Sequence, residues 1–402
     1  MNVEEPGALH TRARTRRLIV KSMPGNPTRV LTCLTIMALH AFGSAAQTVD
    51  PRARDAYARA VALEAEGNHH AALALLWEAA GLAPHDADIN RRLGDALERI
   101  GALEAAVEAY RRALVAKPDS PKTSNSLILT LVKAGKGPEA VERARAIVAA
   151  APDDPNAHFT LGLALAEQDV SEAIATFRRV LELKPRHALA RYNLAQVLKR
   201  ADRAAEAVQE LTRAIESEPR PEAYYTLGVI HWQQGDTARA AQALRAAVAA
   251  EPGYVDAHYT LGAVLAAERD WTGAVDALRR ALTLRRDLWS AHYTLGRVFQ
   301  AAGDEKAART HLEEAERLRT RAQLEQEASV WTSTGIQKLE RGDPLGAIEH
   351  FRRATAIFET YAPAHYQLGR ALQLLGQHEA SRAAFARAQR LNPSLVPPTN
   401  AR

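Results

Sequence analysis

The sequence has little to offer covalent or metal chemistry. One cysteine, Cys33, in 402 residues leaves no disulfide framework and no thiolate cluster for zinc or iron–sulfur. No GxxxxGK[ST], HExxH or GxSxG motif occurs. No run of about 18 apolar residues exists, which excludes an ordinary membrane-spanning helix. Aromatics are scarce at 5%, so a core must be filled by small and branched aliphatic groups. What is abundant is alanine, the best helix former, in a chain 47% apolar and 25% charged. That balance excludes a disordered chain and points to an all-α fold.

The net charge of +5 invites a nucleic-acid reading until its location is examined. Residues 1–46 carry a net +4 and the remaining chain only +1. The basic character belongs mainly to the N-terminal segment. There, Arg12, Arg14, Arg16, Arg17, Lys21 and Arg29 precede the 13-residue apolar run Val30–Phe42. Gly43, Ser44, Ala45 and Ala46 follow, and cleavage after Ala46 fits the small-x-small rule. Residues 1–46 are therefore expected to be a signal peptide, with Met23 an alternative start that gives a leader of ordinary length. Cys33 lies inside the apolar run, which is the wrong place for a lipid-modified cysteine. The expected mature protein is nearly neutral, free of thiols, and has no nucleic-acid partner.

After a short linker, 47–52, one pattern recurs. AHFTLG (157–162), AYYTLG (223–228), AHYTLG (257–262 and 291–296) and AHYQLG (364–369) recur, and the two AHYTLG copies start 34 residues apart. Ten units start at Ala53, Ala87, Pro121, Pro155, Ala188, Pro221, Val255, Trp289, Ala328 and Ala362. Positions 4, 7, 8 and 11, as in His258, Leu261, Gly262 and Leu265, lie three and four apart and so share one face of a first helix, A. Positions 20, 24 and 27 do the same for a second helix, B. Glycine at position 15 in seven units supplies a turn, and proline follows helix B in seven units. This spacing resembles the tetratricopeptide repeat (TPR) family. The resemblance implies a right-handed superhelical solenoid of about ten helix–turn–helix repeats, with A helices inside and B helices outside.

Repeats 1–8 are expected over 53–322 and repeats 9–10 over 328–395, with a frayed tail at 396–402. A five-residue insertion, 323–327, separates the two blocks. Asp304–Thr334 contains no glycine or proline, so helix 8B is expected to run on into helix 9A or to shift the superhelical phase. Repeat 3 departs from the pattern, with Ile128 at position 8.

Catalytic residues are not expected, because the repeats leave no length for a catalytic domain. Gly135–Ala140 spells GxGxxA but fills a predicted turn between helices, where no strand precedes it. His158, His258, His292 and His365 recur at position 4. Neighbouring repeats put equivalent residues about 8–10 Å apart. That is too far to share a metal, so these histidines read as core residues with one nitrogen bonded. No metal and no cofactor are expected.

The resemblance places positions 2, 5, 9, 12 and 13 on the concave groove. Position 5 is aromatic in Tyr57, Phe159, Tyr192, Tyr225, Tyr259, Tyr293 and Tyr366, and Trp232, Arg297 and Arg370 join the same surface. Two readings of this ladder stay open: packing between A helices, or anchors for a bound segment. The Lys/Asn carboxylate clamp of some TPR domains is absent. So is the asparagine ladder of TPR-bearing glycosyltransferases, of which only Asn193 is present. Outer-helix arginines at positions 25 and 26 follow acidic residues by three or four, which favours an ion-paired solvated face.

The expected function is a non-enzymatic, exported scaffold in a bacterial periplasm or outside the cell, binding a peptide or protein segment in the groove. Two alternatives stand beside it. One is a regulatory or substrate-binding arm of an envelope enzyme system, such as glycosyl transfer, with catalysis on another chain. The other is a self-associating structural solenoid.

Overall fold

The computed structural model describes residues 50–397. The expected signal peptide and the last five residues lie outside them. Nineteen α-helices and no strands occur among the described residues, so the fold is all-α. These residues divide into two units, 50–123 and 124–397.

The first unit contains α1 (Pro51–Ala65), α2 (His69–Leu82), α3 (Ala87–Arg99) and α4 (Leu103–Ala116). Helix α5 (Pro121–Lys133) crosses the division. The second unit continues with α6 (Gly137–Ala150), α7 (Pro155–Leu165), α8 (Val170–Leu183), α9 (Ala188–Arg200) and α10 (Ala204–Ser217). Then come α11 (Pro221–Gln233), α12 (Thr237–Ala250), α13 (Val255–Ala267), α14 (Trp271–Leu284) and α15 (Trp289–Ala302). The last four are α16 (Glu305–Glu340), α17 (Pro344–Ile357), α18 (Ala362–Leu374) and α19 (His378–Leu391).

Every hairpin but that of repeat 4 is built by the same local chemistry. A residue with positive φ turns the chain and the next residue often caps helix B. The seven position-15 glycines all have φ between 69° and 83°. Asp236, Asp270, Asp304 and Asp343 then accept a hydrogen bond from the third backbone N–H of the following helix. In repeats 5 and 7 the turn residue is Asp202 (φ 58°) and Arg269 (φ 63°), where a side chain must tolerate the left-handed region.

Close approach of the two helices needs a small residue at position 8 facing a large one at position 24. A methyl built on Gly262 would lie 2.6 Å from Leu278 Cγ, and one on Gly162 2.7 Å from the ring of Phe177, at position 23 in this shorter repeat. The same pairing joins Gly94 to Tyr110, Gly228 to Leu244 and Gly369 to Phe385. In repeat 3 the sizes are reversed. Ile128 at position 8 and Ala144 at position 24 are both buried, which keeps the summed volume.

Stacking between hairpins follows a second stripe, at positions 3, 7 and 10. Ala291, Leu295 and Val298 of α15 lie in one core cluster with Ala274, Ala277 and Leu278 of α14. Ala157–Leu161–Ala164, Ala190–Leu194–Val197 and Ala257–Leu261–Val264 are equally buried. Two repeats break this rule. Repeat 1 has Asp55, Arg59 and Ala62 there, all exposed, with an Arg59–Asp55 ion pair at 3.5 Å. Repeat 9 has Val330, Thr334 and Gln337, of which Val330 is 59% exposed. Polar front faces are what terminal repeats of a solenoid require.

Helix A of repeat 9 is the second half of the longest helix. The segment free of glycine and proline is continuous in α16, whose 36 residues span about 54 Å. Its first half buries Ala308, Ala315 and Leu318, and its second half Ala328, Thr332 and Gly335. Residues 319–327 between them are exposed on every side. Ion pairs Arg317–Glu314 and Arg319–Glu316 support the helix as it enters this stretch. Repeats 9 and 10 have their own clusters, around Phe351 and around Ala328.

Candidate functional site

The position-5 aromatics divide into two environments. Phe159 stacks on His187 at 5.0 Å and meets Phe177 edge-on at 6.0 Å. Tyr225 packs on Tyr254 at 5.1 Å. His187 and Tyr254 each occupy the residue just before the following A helix, so a position-5 ring is covered by the next repeat. Tyr259 is half-buried against the cluster that also holds Leu288, the equivalent residue before α15. The Tyr192 hydroxyl takes a hydrogen bond from Gln196 at 2.7 Å. Gln196, at position 9, reaches Thr226 of the next A helix at 3.3 Å. Tyr254, close to Tyr192, Tyr225, Asp256 and Glu222, has its phenol pushed up to about 12, chiefly by burial. For these repeats the packing reading of the ladder is the one the geometry supports.

Tyr293 is different, at 50% exposed. The residue that would cover it belongs to the turn before the next A helix. In repeat 8 that turn is replaced by the continuous α16. Trp289 (41% exposed) and Arg297 lie four residues to either side of Tyr293 on the same stripe of α15. The Arg297 guanidinium donates to Gln300 Oε1 at 3.2 Å. These residues form an open aromatic and cationic surface at the end of a packed array. Trp289 was missed by the groove-position reading. Its signal was the i, i+4, i+8 spacing with Tyr293 and Arg297.

The other expected groove residues are dispersed. Trp232 is 36% exposed, on α11. Tyr366 packs edge-on with Phe385 at 5.4 Å, and its hydroxyl donates to the Val396 carbonyl at 3.4 Å. Arg370 is exposed and donates to Gln367 at 3.0 Å. A groove-side depression of about 430 Å³ between α7 and α9 is lined by Glu167, Asn193, Gln196, Lys199 and Arg200. An Arg200–Glu167 ion pair of 2.6 Å spans it.

The position-4 histidines have a shared structural role. His158 and His258 contact the carbonyls of Pro152 and Pro252 through Nε2 at 2.7 and 3.1 Å. His365 does the same to the Glu359 carbonyl at 2.8 Å. Asn90 and Arg191 occupy position 4 in repeats 2 and 5 and donate to the carbonyls of Pro84 and Pro185. A long side chain at position 4 thus satisfies a carbonyl at the preceding turn, six residues back. His292 instead meets His311 of α16, Nδ1 to Nδ1, at 3.0 Å. His311 stacks on Phe299 at 5.6 Å. Burial, then His292 and Arg279, lowers the His311 pKa below the usual imidazole value. No cluster of three metal-ligating side chains occurs among the described residues. No helix among them is long and apolar enough to cross a membrane.

The outer arginines make ion pairs of both expected and unexpected kinds. Arg213–Glu210 (2.7 Å) is within one helix, while Arg178 reaches Glu206 of the next B helix at 3.0 Å. Arg353 lies 4.1 Å above the Trp331 ring.

The family models agree with this repeat pattern. Two family models, each described as tetratricopeptide repeat, match residues 57–121, 126–169 and 225–288, and residues 164–228 and 338–395. No curated protein matches the sequence. Among solved structures, PilF of Pseudomonas aeruginosa is 19% identical, covering 49% of this chain and 90% of that one, with a TM-score of 0.44. The Cut9–Hcn1 structure from the APC/C is 18% identical, covering 85% and 82%, with a TM-score of 0.41. YrrB, described as a TPR protein with an unusual peptide-binding site, is 19% identical, covering 44% and 93%, with a TM-score of 0.41. With its ten sequence repeats, its glycine turns and these family matches over most of its length, the chain belongs to the tetratricopeptide repeat family.

Proposed function

We propose that this chain is an exported scaffold that captures a segment of another protein, with the surface around Tyr293 as its principal contact. The observation that carries the reading is the exposure of Trp289, Tyr293 and Arg297 on one stripe of a rigid helix. Exposed aromatics flanked by arginine are the residue types that dominate binding energy at protein interfaces. Preformed side chains on a packed helix lose little freedom on binding. Export is supported by the basic segment, the apolar run and the small residues that end at Ala46. Any chemistry linked to the partner is assigned to another chain, because nearly all of this one is spent on repeats.

The test is affinity capture from an envelope fraction with the wild-type chain and with Trp289→Ala/Tyr293→Ala. Both positions are exposed, so helicity should be unchanged by circular dichroism. The expected result is recovery of one or more partners by the wild type and loss of them with the double variant. Equal recovery by both would reject the site, and turnover of a substrate by the purified chain alone would reject the scaffold reading.

A further inference from the structure

Repeat 8 ends as an open socket, and the rest of the molecule displays what such a socket holds. In repeats 4 to 7 the surface around positions 5 and 9 is covered by the A helix and turn of the following repeat. Phe159 meets His187, Tyr225 meets Tyr254, and Gln196 meets Thr226. The covering helix presents one recurring stripe: Ala190–Leu194–Val197, Ala223–Leu227–Ile230, Ala257–Leu261–Val264, Ala291–Leu295–Val298. A small residue is followed after four residues by leucine, and after three more by a branched residue. The small residue lets the helix approach, and the two larger groups fill the space between helices A and B beneath it.

Among the described residues, no such helix follows repeat 8. The second half of α16 begins past nine exposed residues, and its own stripe is Val330, Thr334 and Gln337, which does not match. A second copy of this chain offers no better fit. Its Ala-Leu stripes are already buried or half-buried, and its exposed front face, in repeat 1, carries Asp55, Arg59 and Ala62. Position 9 also differs at the socket: it is Arg297 here, against Leu163, Gln196, Val229 and Ala263 in the covered repeats. An exposed arginine at that point favours an acidic residue on the occupant.

We propose that the open face of repeat 8 receives an amphipathic helix from a different protein, bearing a small residue, leucine and a branched residue at spacings of four and three, with an acidic residue near Arg297. This rests on the scaffold reading above and specifies the class of segment captured.

The probe is a labelled synthetic peptide of residues 254–268, which carries Ala257, Leu261 and Val264, titrated into the full chain and followed by fluorescence anisotropy. The expected result is saturable binding that Tyr293→Ala weakens at least about tenfold. Tyr225→Ala, at a covered position, should change it less than about twofold. A peptide with Leu261→Asp should not bind. Absence of saturable binding up to about 1 mM, or equal binding of the Leu261→Asp peptide, would overturn the proposal. So would a concentration-dependent dimer, seen by sedimentation, that Tyr293→Ala abolishes, because the occupant would then be a second copy. If the peptide fails while envelope capture still depends on Trp289 and Tyr293, only the helical class of the partner falls. If capture is also independent of them, the scaffold site falls with it.

Discussion

Residues 257–262 and 291–296 have the same sequence, AHYTLG, and different environments. Tyr259 is half-buried under the next repeat, whereas Tyr293 is 50% exposed. His258 caps the Pro252 carbonyl, whereas His292 pairs with His311. The hexapeptide alone therefore does not decide whether its tyrosine packs or binds. That depends on a turn more than twenty residues later, present before α15 and absent within α16. The second difference has a local cause. Position 23 is Ala277 in repeat 7 and His311 in repeat 8, so a ring nitrogen is offered to His292 only in the latter.

Four tests would sharpen or break this comparison. The largest effect is expected at the glycines facing position 24. Gly262→Val should cost about 3 kcal/mol in urea unfolding, because Leu278 is fully buried and has nowhere to move. Gly296→Val should cost distinctly less, because Leu312 is only half-buried at the edge of the array. Equal costs would show that repeat 8 is packed as tightly as repeat 7.

Next, Tyr259→Ala should cost about 2 kcal/mol by lost burial, while Tyr293→Ala should stay within about 0.5 kcal/mol. Thermal unfolding of the pair reads the difference directly. A similar loss at both sites would mean that Tyr293 is covered in solution.

A smaller effect is expected from pH. Burial holds His311 below the usual imidazole pKa, and His187, His231 and His258 shift the same way, with burial the first cause in each. A histidine with a lowered folded pKa is neutral in the native state. As pH falls below its ordinary value of about 6.5, the unfolded chain takes up the proton first, and stability is lost down to the lower folded pKa. Melting temperature should therefore fall between pH 7 and pH 5. His311→Leu should flatten that fall, since burial, with His292 and Arg279 nearby, disfavours a charge on this imidazole in the folded chain. An unchanged slope would remove His311 from the account.

The smallest effect is a gain. Arg269 holds φ at 63°, a conformation that costs a side chain about 1 kcal/mol. Arg269→Gly should raise stability by roughly that amount, less the added freedom of glycine in the unfolded chain. Loss of stability instead would mean that the arginine side chain contributes more than its backbone conformation costs.

Most of the fold was legible because the repeat states the same requirements again and again, the turn glycine in seven units of ten. Glycine at position 15 appears in the structure as positive φ, and glycine at position 8 as close contact with a large side chain. Both are local demands set by residues within one hairpin. The continuous helix was legible for the same reason, since nothing between Asp304 and Thr334 interrupts it. The site was less legible. The position-5 row looked uniform, and the stripe at positions 3, 7 and 10, which reports where stacking stops, was not read. Asp55, Arg59, Thr334 and Gln337 carry that signal openly.

By itself, then, the sequence determined an all-α repeat, its register, its turns and the place where one helix runs through. These follow from backbone conformation and from contacts within 34 residues. Only the tertiary structure decided which aromatics are covered and which stand free. Exposure depends on where the next hairpin comes to rest, and a nine-residue bare stretch of α16 moves that hairpin away from Tyr293.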